Sequence, residues 1–374
     1  MKINLSGPDV TQAEIDAVVQ VMQTPTLSLG PKLPEFENLF ADLIGRRYGI
    51  AVNSGTSALH LCLLALGIGA GDEVVTTPFS FIATTNCVLM ANAKPILVDI
   101  DPITYNIDVE RAAEAITERT KALLPVEVFG NPAGIDAVYD LARQRGLYCI
   151  EDSCEGLGSS VNGKKVGTLG DMSTFAFYPN KQMTTGEGGI ILTDNEEWAS
   201  MCGSLRNQGR DANAGWLAHA RLGYNYRLSD INCALGIVQL HRFEELKAKR
   251  RRVFEMYREQ LADEARLEIP QDPPNCEVNW FVYVVRLQDE FTQTQRDQVL
   301  EMLRNTGIGC NNYFTPIHLQ PFVQEMLGYT KGDFPITERI AERTIALLFC
   351  NNLSEQEIET VCETLKESLD KLTA

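Results

Sequence analysis

Lys181 stands in Phe177-Tyr178-Pro179-Asn180-Lys181-Gln182-Met183-Thr184-Thr185-Gly186-Glu187-Gly188-Gly189, directly before the apolar run Ile190-Ile191-Leu192. A lone lysine among small, polar and turn-forming residues is badly placed to fill a core. The glycines permit close backbone packing and sharp turns, and the threonine hydroxyls offer short-range hydrogen bonds. An amine held there and part-shielded from water is expected to have its pKa pulled below the roughly 10.4 of free lysine. It could then condense with an aldehyde as a Schiff base. The competing reading is an ordinary surface lysine in a glycine-rich hairpin.

Two upstream motifs favour chemistry. Gly146-Leu147-Tyr148-Cys149-Ile150-Glu151-Asp152 reads as a short buried strand ending in two carboxylates. In open α/β sheets the ligand crevice lies at the carboxyl ends of the strands, so Asp152 is expected to face a site. Pyridoxal phosphate needs such a group: an acid against the pyridine nitrogen keeps the ring protonated while a lysine holds the aldehyde. Asp152 could equally cap a helix. The second motif is Asn53-Ser54-Gly55-Thr56-Ser57-Ala58-Leu59-His60, between the strand-like Tyr48–Val52 and a helical run closed by Gly67. Strand, small-residue turn and helix together bring free backbone N–H groups and the helix dipole to a phosphate. By itself that motif is also a simple helix cap.

The elements that must position these groups follow from the alternation of short apolar runs with helical patterns between about residues 45 and 195. Ile96–Asp99, Ala122–Val126 and Leu147–Ile150 read as strands; Val109–Thr117 and Ile135–Arg145 read as helices. This predicts an α/β fold with a mostly parallel sheet sandwiched by helices. One long helix is expected from Leu228 to about Leu261, opened by Ser229-Asp230. Beyond the Pro270–Pro274 connection, a strand at Trp280–Arg286 and helices at Gln293–Asn305 and Ser354–Leu372 predict a smaller α+β domain. The expected division is a large cofactor-binding domain of residues 1–245 and a small C-terminal domain of 246–374.

With 374 residues and 44% hydrophobic content the chain can bury a large core. A net charge of −17 argues against nucleic acid or anionic membrane as partners. The one basic cluster, Lys247–Arg252, reads as a solvated helix face. No run of eighteen apolar residues occurs, and the N-terminus lacks a secretory core, so a cytoplasmic location is expected. The ten cysteines are scattered without a CxxC pair, and His60, His219, His241 and His318 have no metal-ligand spacing. Reduced, mostly buried thiols and no metal are expected.

Taken together, these landmarks resemble the DegT/DnrJ/StrS family of pyridoxal-phosphate-dependent sugar aminotransferases along nearly the whole chain. They include Gly30-Pro31 with Glu35-Phe36-Glu37, Ser54–Leu59, Gly71–Val75, Val98–Asp101, Glu151-Asp152, Lys181 with Gly186–Gly189, and Gly223-Tyr224-Asn225-Tyr226-Arg227. The resemblance implies the fold type I architecture of aspartate aminotransferase. It also implies that Lys181 bonds the cofactor aldehyde and moves the proton, that Asp152 pairs with the pyridinium, and that Gly55, Thr56 and Ser57 hold the phosphate. Phe81 occupies the place of an aromatic ring stacked on the cofactor, although its neighbours also suit a core position. Asn225 resembles the residue that reaches the phosphate of the neighbouring subunit, which implies a homodimer with shared sites.

Two positions depart from the family pattern. Ala176 stands where relatives carry a phosphate-bonding serine, which leaves Asn180 or Ser173 to supply the bond. Glu155 stands where many relatives have glutamine or histidine near the ring oxygen. The implied reaction is ping-pong: an amino acid, by analogy glutamate, loads the pyridoxamine phosphate form, which then aminates a keto sugar attached to a nucleotide. Tyr313 and His318 match a segment near substrate, and Arg206 and Arg210 could bind a substrate diphosphate. A keto-inositol aminotransferase would share every cofactor residue. A sugar 3-dehydratase would carry histidine in place of Lys181, and a non-catalytic cofactor-sensing regulator would have no need of an intact Asp152 and Lys181.

Overall fold

Parallel strands need a crossover connection, usually a helix, and this chain supplies one repeatedly. The computed structural model describes residues 5–211, 215 and 218–373. In chain order the strands of its first part are β1 (Tyr48–Val52), β2 (Glu73–Thr76), β3 (Lys94–Leu97), β4 (Thr120–Leu123), β5 (Tyr148–Asp152), the short β6 (Ser160–Val161) and β7 (Lys164–Lys165), β8 (Met172–Ala176) and β9 (Gly189–Thr193). Seven of them form one sheet in the order β1-β9-β8-β5-β4-β2-β3. The pairings are parallel from β3 through β2, β4 and β5 to β8. β9 is antiparallel to both its neighbours, β8 and β1. The expected mostly parallel sheet is therefore present, with one reversed strand.

Alternation along the strands builds a core on each face. Ile50, Val52, Ile150, Met172 and Ile191 pack under helix Gly55–Ala65, which is apolar all round. Ala51, Phe175, Ile190 and Leu192 face the other way, against Phe36 and Phe40 of helix Lys32–Ile44 and against Phe177. Further along, β10 (Leu267–Glu268), β12 (Tyr283–Leu287) and β13 (Thr344–Leu347) make a small antiparallel sheet, while β11 (Cys276–Glu277) pairs with β6. Helices Phe243–Leu261, Gln293–Asn305 and Glu355–Thr373 contribute to the core around that sheet.

The single long helix expected from 228 to 261 is in fact two, Asp230–His241 and Phe243–Leu261. The break falls at Arg242, whose guanidinium is shared among Asp9, Glu14 and Glu245. The first of these helices opens as anticipated, with the Asn232 N–H donating to Ser229 Oγ at 3.2 Å. All ten cysteines are free thiols, most of them buried. Among the described residues no helix is long and apolar enough to cross a membrane, and no His/Cys/Asp/Glu cluster could hold a metal.

Candidate active site

The carboxyl ends of β1, β8 and β5 lie close together in the sheet, and each hands its chain to one of the three sequence motifs. They surround a cavity of about 390 Å3 lined by Ser54, Gly55, Thr56, Thr84, Asp152, Glu155, Lys181 and Tyr313, among others. After β1 the chain turns at Ser54, which caps helix Gly55–Ala65: the Ser57 N–H donates to Ser54 Oγ at 3.1 Å. The Ser57 hydroxyl donates to Asn53 Oδ1 at 2.7 Å. Early N–H groups of a helix have no intrahelical partner, so this turn presents donors and the positive end of the dipole to the cavity. Glycine at 55 is required by space: a Cβ there would lie 2.8 Å from Ala176 Cβ and 3.0 Å from Cys154 Sγ. The helix start therefore packs directly against the end of β8.

Asp152 ends β5 and is 4% exposed. Thr84 donates to its Oδ2 at 2.7 Å, and Ser80 Oγ and Thr84 Oγ1 are 2.9 Å apart. The Cys154 N–H makes a longer bond of 3.4 Å to Oδ1. No helix begins at Asp152, so the capping alternative is not realised. A buried carboxylate without a cation is costly, and a protonated ring nitrogen in the cavity would relieve that cost.

Lys181 lies in the loop between β8 and β9, its side chain 14% exposed. The loop is closed by the Phe177 N–H donating to Gly188 O and the Thr185 N–H to Phe177 O. The lysine Nζ sits 4.0 Å from the centre of the Phe281 ring and 3.6 Å from Glu155 Oε1. Glu155 Oε2 accepts the Phe129 N–H at 2.9 Å. Burial pushes the Glu155 carboxyl up, opposed by Lys181 and the Phe129 N–H, which favour its charge. The Tyr313 phenol, also lining the cavity, is pushed up to about 12 by burial, with Glu155 adding to the shift.

The structure thus brings Gly55, Thr56, Asp152, Glu155, Lys181, Phe81 and Tyr313 to one cavity, with Ser57 in the cup behind it. Phe81 is not a core residue. It is 63% exposed at the cavity, and the buried aromatic of that segment is Phe79. Asn225 is exposed and does not line this cavity, although its carbonyl lies 3.5 Å from Asn53 Nδ2.

Three residues expected to contact substrate, Arg206, Arg210 and His318, do not line this cavity. Arg206 turns inward, where it is bonded to Glu37 and to Ala51 O and neutralises the part-shielded Glu37 carboxylate. Arg210 has a buried Nε away from the cavity. His318 is wholly buried, 2.9 Å from Glu338 Oε1 and packed on Phe334. Of the two candidates to replace the missing serine, Ser173 is committed to Gly167 O at 2.9 Å. Asn180 lines the cavity with its Oδ1 unpartnered.

Thr84, Phe281 and Phe129 were not singled out from the sequence. Thr84 left one faint signal, a hydroxyl four residues from Ser80. Phe281 meets the lysine, and Phe129 the Glu155 beside it, only through tertiary packing. The residues present fit pyridoxal phosphate: a helix N-terminus opened by a glycine whose Cβ would crowd Ala176 and Cys154, a buried acid on one wall and a single amine on another. The cofactor's aldehyde, ring nitrogen and phosphate each have one matching group.

The sequence pattern described as the DegT/DnrJ/EryC1/StrS aminotransferase family matches residues 8–366. The chain is 38% identical over 373 residues to GDP-perosamine synthase from Caulobacter vibrioides, covering 98% of each. Among solved structures, Spr1654 from Streptococcus pneumoniae in its PLP form superposes with a TM-score of 0.95 at 27% identity, over 100% of both chains. The same protein has also been solved in a PMP form. Helicobacter pylori PseC, an aminotransferase involved in pseudoaminic acid biosynthesis, gives 0.93 at 26% identity, over 99% of this chain and 100% of its own.

Proposed function

We propose, because this chain belongs to the DegT/DnrJ/EryC1/StrS aminotransferase family, that its sugar substrate is a nucleotide-linked ketone and its amino donor an amino acid, glutamate by analogy. The chain is a pyridoxal-phosphate-dependent sugar aminotransferase. The observation that carries the cofactor chemistry is the one cavity in which Asp152 and Lys181 occupy separate walls beside the helix start at Gly55. When bound, the cofactor supplies the electron sink for removing a proton from the amino-bearing carbon. Lys181 would hold the cofactor's aldehyde end and carry that proton, Asp152 would keep a proton on the ring nitrogen, and Gly55, Thr56 and Ser57 would hold the phosphate. General acid–base assistance of this kind contributes about 10²–10⁴-fold.

The name GDP-perosamine synthase, borne by a relative matched over almost the full chain, supports a nucleotide-linked sugar. Neither Arg206 nor Arg210 faces the cavity, so a substrate diphosphate would need donors from elsewhere. A second copy of the chain is the natural source. Exposed Asn225 stands beside the phosphate cup, and Ile15, Val19, Met22, Leu27 and Leu29 leave a large apolar surface uncovered. We read residues 1–245 as the cofactor-binding domain and 246–374 as the small domain, which sends Phe281 and Tyr313 into the cavity.

The test follows the spectrum of the pyridoxamine form against a panel of ketones. Reversion with nucleotide-linked keto sugars is expected. Reversion only with free keto-inositols would replace this reading with the cyclitol one, and failure to load from any amino donor would leave a regulatory protein.

A further inference from the structure

Phe129 is an aromatic residue held at φ 60°, ψ 9°, in the left-handed region. Such a conformation is strained for a residue with a side chain and persists only where its surroundings enforce it. Both of its backbone groups are used on the lysine's surroundings. Its N–H donates to Glu155 Oε2 at 2.9 Å, and its carbonyl accepts the Phe281 N–H at 2.9 Å. The free oxygen of Glu155 and the ring of Phe281 are the two groups that meet Lys181 Nζ, at 3.6 and 4.0 Å. One strained residue therefore fixes both contacts of the reactive amine. The backbone carbonyl of Glu155 is anchored as well, by the Gln182 amide. Glu155 is 5% exposed, and its other charged or titratable neighbours are Asp152 and Tyr313; Cys154 adjoins Lys181.

We infer that Glu155 is the proton-exchange partner of Lys181. Its carboxylate takes a proton from the lysine ammonium so that Nζ can bond the cofactor aldehyde, and returns it as the bond is completed. In the first step an Nζ–H bond breaks, its electron pair stays on nitrogen, and an O–H bond forms on Glu155. As Nζ attacks the carbonyl carbon, a second amine proton moves to the carbonyl oxygen. Glu155 then returns its proton to that oxygen, which leaves as water, and the nitrogen keeps the third. Glu155 thereby regains its negative charge beside the positive nitrogen. Water is largely excluded from the pair, so charge separation gains little from solvent and a neutral amine–acid pair becomes accessible. Burial raising the Glu155 carboxyl works in the same direction. Phe129 is the positioning residue, acting through Glu155.

This inference rests on the reading of Lys181 as the residue that captures pyridoxal phosphate, and its test separates the two. Cofactor is stripped from the full chain, pyridoxal phosphate is added back, and violet-region absorbance is followed from pH 6 to 8.5 for the parent, Glu155→Gln and Glu155→Asp. In the parent, capture should vary little with pH, because the proton moves within the pair. In E155Q it should be at least tenfold slower at pH 6.5 and rise about tenfold per pH unit, since the proton must now leave to solvent. Added formate should restore part of the rate in Glu155→Ala, and E155D should fall between parent and E155Q. Capture by E155Q as fast as the parent at every pH would overturn the inference. Absence of capture by the parent, or trapping by borohydride at a lysine other than Lys181, would instead overturn the reading beneath it.

Discussion

Replacing Asp152 by asparagine removes one negative charge while keeping the side chain's shape. The Thr84 hydroxyl, 2.7 Å from Oδ2, can still donate to an amide oxygen, so the wall of the cavity should stand. What disappears is the charged acceptor for a ring N–H. Asp152 is 4% exposed, and the donors to its carboxylate, Thr84 and the Cys154 N–H, are neutral, so neither supplies the counter-charge a ring N–H would. A hydrogen bond to a charged group is worth about 1.5–3 kcal/mol. At about 1.4 kcal/mol per factor of ten, cofactor affinity should fall roughly 10- to 150-fold. The rate of proton removal from an amino donor should fall further, because an unprotonated ring accepts electrons poorly. Affinity is read by absorbance titration of stripped protein, and the half-reaction by stopped flow. An affinity within twofold of the parent, with an unchanged half-reaction, would refute the assignment of Asp152 to the ring nitrogen.

Gly55→Ala should weaken cofactor binding at least tenfold with little change in helix content, because the added methyl would press on Ala176 and Cys154 and move the helix start; titration together with circular dichroism checks this. Glu14 is held down at about 2: burial opposes the shift, but the Thr11 hydroxyl and N–H, Arg242 and Gln239 outweigh it. Its stabilising share is therefore complete above the ordinary carboxyl range and lost as pH falls from about 4.5 towards 2. Hydrogen exchange should show helix Gln12–Met22 opening over that window, and Glu14→Gln should flatten the dependence. Glu127 is fully buried, and burial, reinforced by Glu151 and Asp152, raises its carboxyl against the neighbouring Ser153 hydroxyl, which favours its charge. Glu127→Leu should stabilise the fold by about 1–3 kcal/mol in urea, the gain widening as pH rises above the carboxyl range, and a loss would show that the acid has a working partner.

The parts of the site that could be read from the chain are those encoded over a few neighbouring residues. The capped turn Ser54–Ser57, the acid ending β5 and the lysine in its glycine-rich loop each need a local pattern, and the strand-end rule then predicts that they converge. The helices Ile135–Arg145 and Gln293–Asn305 were legible at their full observed length for the same reason. What escaped depends on which way a side chain turns. Arg206 and His318 look like ligands for substrate until their carboxylate partners, Glu37 and the buried Glu338, are seen. The break at Arg242 is set by Asp9 and Glu14, more than two hundred residues away. Phe281 touches Lys181 across a hundred residues, and nothing near it in the chain marks that contact.

The reversed strand β9 has a consequence for how the enzyme comes to completion. Because it runs against β8 and β1, the lysine loop leaves and re-enters the sheet at the same edge, and β1 is joined to the rest of the sheet through β9. The phosphate cup cannot be set beside the lysine until a strand made early in synthesis has been zipped to one made some 140 residues later. A nascent or nicked molecule lacking that last seam would own every reactive side chain without the paired cup and amine that together hold a cofactor.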